Sequence, residues 1–245
     1  MNVAEHFLFP EWPAPAGVHA ATTLRTGGLS IGPYASLNPA LHVGDDREAV
    51  LQNRRLIRER LALPSEPVWL EQVHGNKIVR AGAVAGVPQA DAGYTDEPGV
   101  VCAVMTADCL PLLLCSADGE RVAAVHAGWR GLADGIIGNA VAALGRKDLL
   151  IWLGPAIGPE RFEVGEEVRA VFVQKSPAFA EAFKPHRPEG KWLADIYRLA
   201  RIELNALGVT SIYGGRFCTV AEPDRFFSYR RDAVTGRMAT LIWRD

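Results

Sequence analysis

The residues best suited to chemistry fall in two short stretches. In Thr106-Ala107-Asp108-Cys109-Leu110-Pro111 a cysteine heads an apolar run, and in Val125-His126-Ala127-Gly128-Trp129-Arg130-Gly131 a histidine ends another. A second histidine, His74, stands in the turn-like Gln72-Val73-His74-Gly75. A cysteine thiolate with two imidazoles suits zinc, and three protein ligands with one open position is the catalytic pattern, because the fourth place takes water or substrate. The separations are too long for zinc-finger spacing. Cys109 and His126 also fit a nucleophile–base pair that forms a covalent acyl-type intermediate and needs no metal. The plain alternative is a core thiol and two satisfied histidines.

Charged groups accompany these residues. Arg130 lies between glycines where a helix begins, a setting that aims backbone N–H groups and a guanidinium fork at phosphate or carboxylate. A surface salt bridge would explain it as well. Arg25, in a glycine-rich loop, and Arg230 are the further candidate cations, Gln72 is a candidate substrate contact, and Tyr229 could stack on a ring. Asp108, directly before Cys109, is either a proton carrier or a carboxylate that caps backbone.

The elements that must position these groups are legible in part. Residues 100–106, 110–115 and 122–125 are nearly continuous apolar runs, as in strands buried on both faces. Asp118-Gly119 between the last two is a hairpin signal. An antiparallel hairpin brings Cys109 and His126 to the same sheet edge, whereas His74 gains nothing from that argument. After Arg130-Gly131 a single helix is expected, with Leu132, Ile136, Ala140 and Leu144 on one stripe and Gly145 as its stop. Helices are also expected near 46–61, capped by Asp46, near 165–174, and after Asp195 as far as Gly208. Strands are expected at 17–24, 68–70, 77–79, 149–153, 210–213 and 239–243. Residues 25–38 form a long loop rich in Gly, Pro, Ser and Asn. No repeat, linker or low-complexity stretch divides the chain, so one α+β domain over residues 1–245 is expected.

Totals exclude several classes. With 49% apolar residues and a formal net charge of −2, there is no concentrated positive field to suggest nucleic acid or a membrane surface. No apolar run approaches the roughly 20 residues that cross a bilayer. The N-terminal residues lack a signal-peptide pattern, so a cytoplasmic location is expected. Three of the four cysteines fall in one apolar region without Cys-x-x-Cys spacing, so reduced thiols are expected rather than a disulfide framework.

As a set, several stretches resemble one family. They are Arg25-Thr26-Gly27-Gly28, Ser36-Leu37-Asn38, His42-Val43-Gly44-Asp45-Asp46, Gln72-Val73-His74-Gly75 and the two opening stretches. Gly154-Pro155-Ala156-Ile157-Gly158-Pro159, Phe162-Glu163-Val164-Gly165 and Phe227-Ser228-Tyr229-Arg230-Arg231-Asp232 continue the match in order. The chain resembles the YfiH family, also called the laccase-domain or multicopper polyphenol oxidase family. The resemblance implies metal ligands at His74, Cys109 and His126, with Zn2+ or Cu2+ bound. It implies mixed β-sheets packed between helices in a layered sandwich like that of the cysteine deamidase toxins. It also implies phosphorolysis of adenosine, inosine and methylthioadenosine, with adenosine deaminase activity alongside. The expected partners are therefore purine nucleosides and phosphate, in a monomer or homodimer. A role as an editing or binding protein for peptidoglycan precursors is attached to bacterial relatives. A conventional multicopper oxidase needs about ten histidines in His-x-His pairs. Six histidines and no such pair exclude it here, which leaves a single-copper polyphenol oxidase as the oxidase alternative.

Overall fold

The computed structural model describes residues 5–146 and 148–245. Among them the strands are β1 (Phe7–Leu8), β2 (Val18–Thr23), β3 (Ile78–Arg80), β4 (Ala92–Thr95), β5 (Cys102–Thr106), β6 (Leu110–Ser116) and β7 (Val122–Ala127). They continue with β8 (Leu149–Leu153), β9 (Glu163–Gly165), β10 (Phe183–His186), β11 (Lys191–Ala194), β12 (Ser211–Gly214) and β13 (Met238–Arg244). The helices are α1 (Arg47–Arg60), α2 (Trp129–Ala133), α3 (Ile136–Leu144), α4 (Glu166–Lys175), α5 (Ile196–Ala206) and α6 (Tyr229–Asp232).

The expected hairpin is the centre of the molecule. β6 and β7 pair antiparallel from Leu110 opposite Ala127 to Cys115 opposite Val122. They are the middle of a six-stranded sheet ordered β12-β8-β6-β7-β4-β3, and a four-stranded sheet runs β1-β2-β13-β5. Because side chains alternate along a strand, β6 serves two cores. Leu110, Leu112 and Leu114 pack under α3 and α5, with Ile136, Ala140 and Leu204. Leu113 and Cys115 face the other way, against Cys102 and Val104 of β5 and Ile242 of β13. The outer face of the four-stranded sheet, with Met105 and Leu241, is covered by Ile57 of α1. The layers therefore run helix, sheet, sheet, helices, and a small sheet β10-β11-β9 lies beside α4. Both central faces being buried is why these strands read as apolar runs rather than as alternation.

Local signals account for the helix ends. Asp46 accepts from the N–H of Ala49 at 2.8 Å and Asp195 from that of Arg198 at 2.9 Å, each capping its helix. Gly145 closes α3 with φ 59°. The single helix expected after Gly131 is instead two, α2 and α3. Gly135, at φ 86°, breaks the run, and the apolar stripe persists because both pieces pack on the same sheet. Val68-Trp69-Leu70 is not a strand of a sheet: only Val68 bridges Cys102. β1, β4 and β9 to β11 had no clear pattern, being two to four residues long. No helix among the described residues is long and apolar enough to cross a membrane.

The loop at 25–38 is a polar scaffold. The buried Asn53 of α1 donates through Nδ2 to Ser30 Oγ and to the carbonyls of Ser36 and Asn38, and its Oδ1 accepts from the N–H of Leu29. A polar residue on the apolar face of α1 is accommodated because the loop satisfies its amide.

Candidate metal centre and its cavity

His126 is the penultimate residue of β7, opposite Pro111 of β6. Cys109 lies two residues before Pro111, in the corner Ala107-Asp108-Cys109 that carries the chain from β5 in one sheet to β6 in the other. The corner turns through Asp108 at φ 88°. An aspartate tolerates that region better than most residues, and here hydrogen bonds hold it. The Asp108 carboxylate accepts from Thr219 Oγ1 and from the N–H of Arg230, both at 2.6 Å, and its carbonyl accepts from the N–H of Ile157 at 2.9 Å.

His74 arrives from another segment, in a turn where its own φ is 61°. One carboxylate shapes that turn. Asp91 is fully buried and accepts from the N–H groups of Val73, His74 and Gly75 at 3.2, 2.9 and 2.7 Å. It also bonds His126 Nδ1 at 2.8 Å, which leaves Nε2 as the nitrogen that His126 can offer to a ligand. Asp91 thus positions two histidines that are far apart in sequence. Sequence reasoning missed it. No local signal marked it, because the segment Ala92-Gly93-Tyr94-Thr95 that follows has no clear pattern.

The three candidate donor atoms, from His74, Cys109 and His126, lie within 4.8 Å of one another, and no other such cluster occurs among the described residues. Exposure is graded, with His74 exposed, Cys109 half-buried and His126 buried, so the cluster opens to solvent on the His74 side. Electrostatics couple Cys109 and His126 as a thiolate–imidazolium pair, whose imidazolium proton a metal ion would have to displace. Burial opposes charge on Cys109, but the charge and hydrogen bond of His126, then those of His74, outweigh it and hold the thiol at about 6. Burial also opposes charge on His126, yet Cys109 and Asp91 push it up to about 9. Burial works against the Asp91 carboxylate too, and its bonds to His126, Gly75 and Val73 keep it below the ordinary range. Gly128 leaves the room: a Cβ there would lie 2.9 Å from His74 Cδ2 and 3.1 Å from Cys109 Sγ.

The cluster faces a cavity of about 440 Å³. Residues 19–245 match the family model described as multi-copper polyphenol oxidoreductase laccase. The chain belongs to that family. It is 53% identical over 239 residues to a protein named purine nucleoside phosphorylase from Pseudomonas aeruginosa, covering 97% of this chain and 98% of that one. It is 50% identical to purine nucleoside phosphorylase YfiH of Escherichia coli, covering 96% and 98%. A crystal structure of a Neisseria meningitidis protein superposes with a TM-score of 0.94 at 50% identity, covering 98% and 99%. That of YlmD from Geobacillus stearothermophilus gives 0.89 at 38%, covering 98% and 96%.

This member of the laccase family has, among its described residues, one candidate metal cluster rather than several. Two imidazoles, a thiol poised to ionise and a glycine that clears their approach fit a single metal ion.

Of the substrate-binding candidates, Gln72, Arg130, Tyr229 and Arg230 line the cavity, as does Asp108. Gln72 has both ends of its amide engaged with the backbone of Met105, at 2.7 and 2.8 Å, so it ties the His74 segment to β5. Arg230 donates to the carbonyls of Glu163 and Arg161. Arg130 lies over the Trp129 ring, 4.7 Å from its centroid, and has no ion pair among the described residues. Arg25 is not part of the cavity wall: its guanidinium donates to the carbonyls of Ala35 and Pro223 and lies over Phe227. The expectation of an anion clamp that includes Arg25 therefore finds no place in this cavity. His42 and Arg237 line the cavity and were not singled out from sequence.

Proposed function

We propose that the protein is a zinc-dependent purine nucleoside phosphorylase acting on adenosine, inosine and methylthioadenosine, with adenosine deamination as a side activity. The observation that carries this reading is a metal-ligand set at the wall of a nucleoside-sized cavity whose other charged groups are mainly arginines. The names of relatives at about half identity support the same choice.

In phosphorolysis a phosphate oxygen attacks the anomeric carbon of ribose while the bond to the purine nitrogen breaks. The purine leaves with the electron pair and takes up a proton, and positive charge spreads over the sugar on the way. Positioning and electrostatics carry most of such a reaction. His74, Cys109 and His126 would hold the metal, with Asp91 orienting the His126 imidazole and fixing the backbone turn that carries His74. The metal supplies Lewis-acid polarisation of a substrate oxygen when bound.

The residues of the chain divide the rest. Arg130 attracts the phosphate, since its guanidinium is free of protein acceptors among the described residues. Tyr229, Trp129 and Phe162 give the cavity aromatic walls, against which base and ribose lose water. Asp108 holds the wall in shape through Thr219 and Arg230. Deamination of adenosine in the same cavity replaces the exocyclic amine by the oxygen of water and releases ammonia. Zinc is the favoured ion because the donor set is borderline-soft and has no redox requirement, while a copper ion on the same residues would support the oxidase alternative. We place the activity in the cytoplasm, where nucleosides and phosphate coexist and the four free cysteines stay reduced.

The test is incubation of the metal-loaded protein with inosine, with and without phosphate. Hypoxanthine and ribose 1-phosphate are expected in equal amounts and only with phosphate. Release of hypoxanthine without phosphate identifies a hydrolase instead. Elemental analysis beside Cys109→Ala should show metal in the wild type alone, and equal content in the two removes the proposed ligand set. A second reading, a Cys109–His126 nucleophile pair, is favoured by the Cys109 thiol held at about 6 beside His126. It requires full activity after chelation and loss of activity on alkylation of Cys109.

A further inference from the structure

Arg237 immediately precedes β13. Met238 pairs with Thr106 of β5, so the register sets Arg237 beside the Ala107-Asp108-Cys109 corner. Its backbone is fixed on both sides. The N–H donates to Oδ1 of the buried Asn38 at 3.0 Å, and a Cβ on the preceding Gly236 would stand 2.8 Å from the Phe227 ring and 3.0 Å from Asn38 Cβ. Asn38, at the end of the glycine-rich loop, thus fixes the backbone of Arg237.

The guanidinium is partly buried in the cavity wall. Nη1 donates to the carbonyls of Thr235 and Gly236, each at 3.0 Å. Nε and Nη2, the side-on edge of the fork, have no acceptor among the described residues, and no carboxylate forms an ion pair with the group. Asp108 is the one carboxylate on the cavity wall among the described residues, and its two oxygens already accept from Thr219 and Arg230. A partly desolvated cation with no direct ion pair, its burial outweighing the nearby Cys109 and Asp108, is costly, and an anion that enters its cavity relieves that cost. The side-on edge of a guanidinium matches two oxygens of a phosphate.

We propose that Nε and Nη2 of Arg237 form the inner half of an oxyanion subsite for inorganic phosphate, with Arg130 as the second cation. The subsite rests on the phosphorylase reading for the identity of its anion. It replaces Arg25 in the clamp with a residue on the opposite end of the chain. Arg237 acts on substrate directly, so its loss should weaken phosphate and leave the metal in place.

The experiment is calorimetric titration of inorganic phosphate into metal-loaded wild type, Arg237→Met and Arg237→Lys, with metal content and melting temperature measured in parallel. Wild type should bind, Arg237→Met should bind at least about tenfold more weakly at unchanged metal content, and Arg237→Lys should fall between them. If Arg237→Met does not fold, Arg237→Lys makes the same comparison, since it keeps the charge and loses the fork. Equal phosphate binding by wild type and the folded variant, or no binding by wild type, overturns the subsite. Cleavage of inosine without phosphate consumption would overturn the phosphorylase reading alone, and the titration would still decide Arg237.

Discussion

Asp91 joins the two histidines of the candidate metal centre. It is fully buried and holds three successive N–H groups of the His74 turn as well as His126 Nδ1. Carboxylates that orient a metal-ligating histidine commonly change metal affinity by about 10–100-fold when replaced. Asp91→Asn should accordingly weaken zinc retention by that order, read by competition with a chromogenic chelator. It should also lower unfolding free energy by about 3 kcal/mol near pH 7, because a buried charged partner is removed. The pH dependence has a definite sign. The Asp91 carboxyl is held below its ordinary value when folded, so its stabilisation is present above the unfolded value, about 4, and is lost as pH falls through the folded one. Urea titrations should show the gap between wild type and Asp91→Asn full near neutrality and shrinking in acid. A gap that stays constant into acid would show that the carboxylate charge plays no part.

At the scale of elements, α2 begins with Trp129 and Arg130 on the cavity wall, and a break separates it from α3, which packs on the sheet. Gly135 makes the break at φ 86°, and a Cβ there would meet nothing within 4 Å. Gly135→Ala should therefore cost only the backbone term, about 1 kcal/mol or ~3 °C in melting temperature, with metal content unchanged. A loss of metal in that variant would mean that the break sets the ligands as well. The stripe Leu132, Ile136, Ala140 and Leu144 was legible as helix but not as two helices. A glycine inside a periodic run is tolerated in many helices, and only the packing of both pieces on one sheet shows that this one leaves the helical region. The three-stranded sheet escaped sequence reading for a related reason: its strands are short and partly exposed, so neither alternation nor an apolar run marks them.

At the scale of the whole molecule, the two larger sheets lie face to face, with the candidate centre where the chain crosses from one to the other. Leu113 is wholly buried between the sheets, and Leu113→Ala should destabilise by about 2–5 kcal/mol, measured by denaturant unfolding. A much smaller loss would show that the sheets close the gap by shifting together. The amino-acid pattern by itself determined the apolar strands, the hairpin, the caps at Asp46 and Asp195, and the nearness of Cys109 and His126. Each is a local or nearest-neighbour property, set by periodicity and turn chemistry. Only the tertiary structure decided that His74 faces that pair, that Asp91 holds it there, that Arg25 turns away and that Arg237 enters the cavity. Those placements follow from sheet register and from a buried carboxylate collecting N–H groups of a distant turn, and no local pattern in a chain encodes where its remote segments meet.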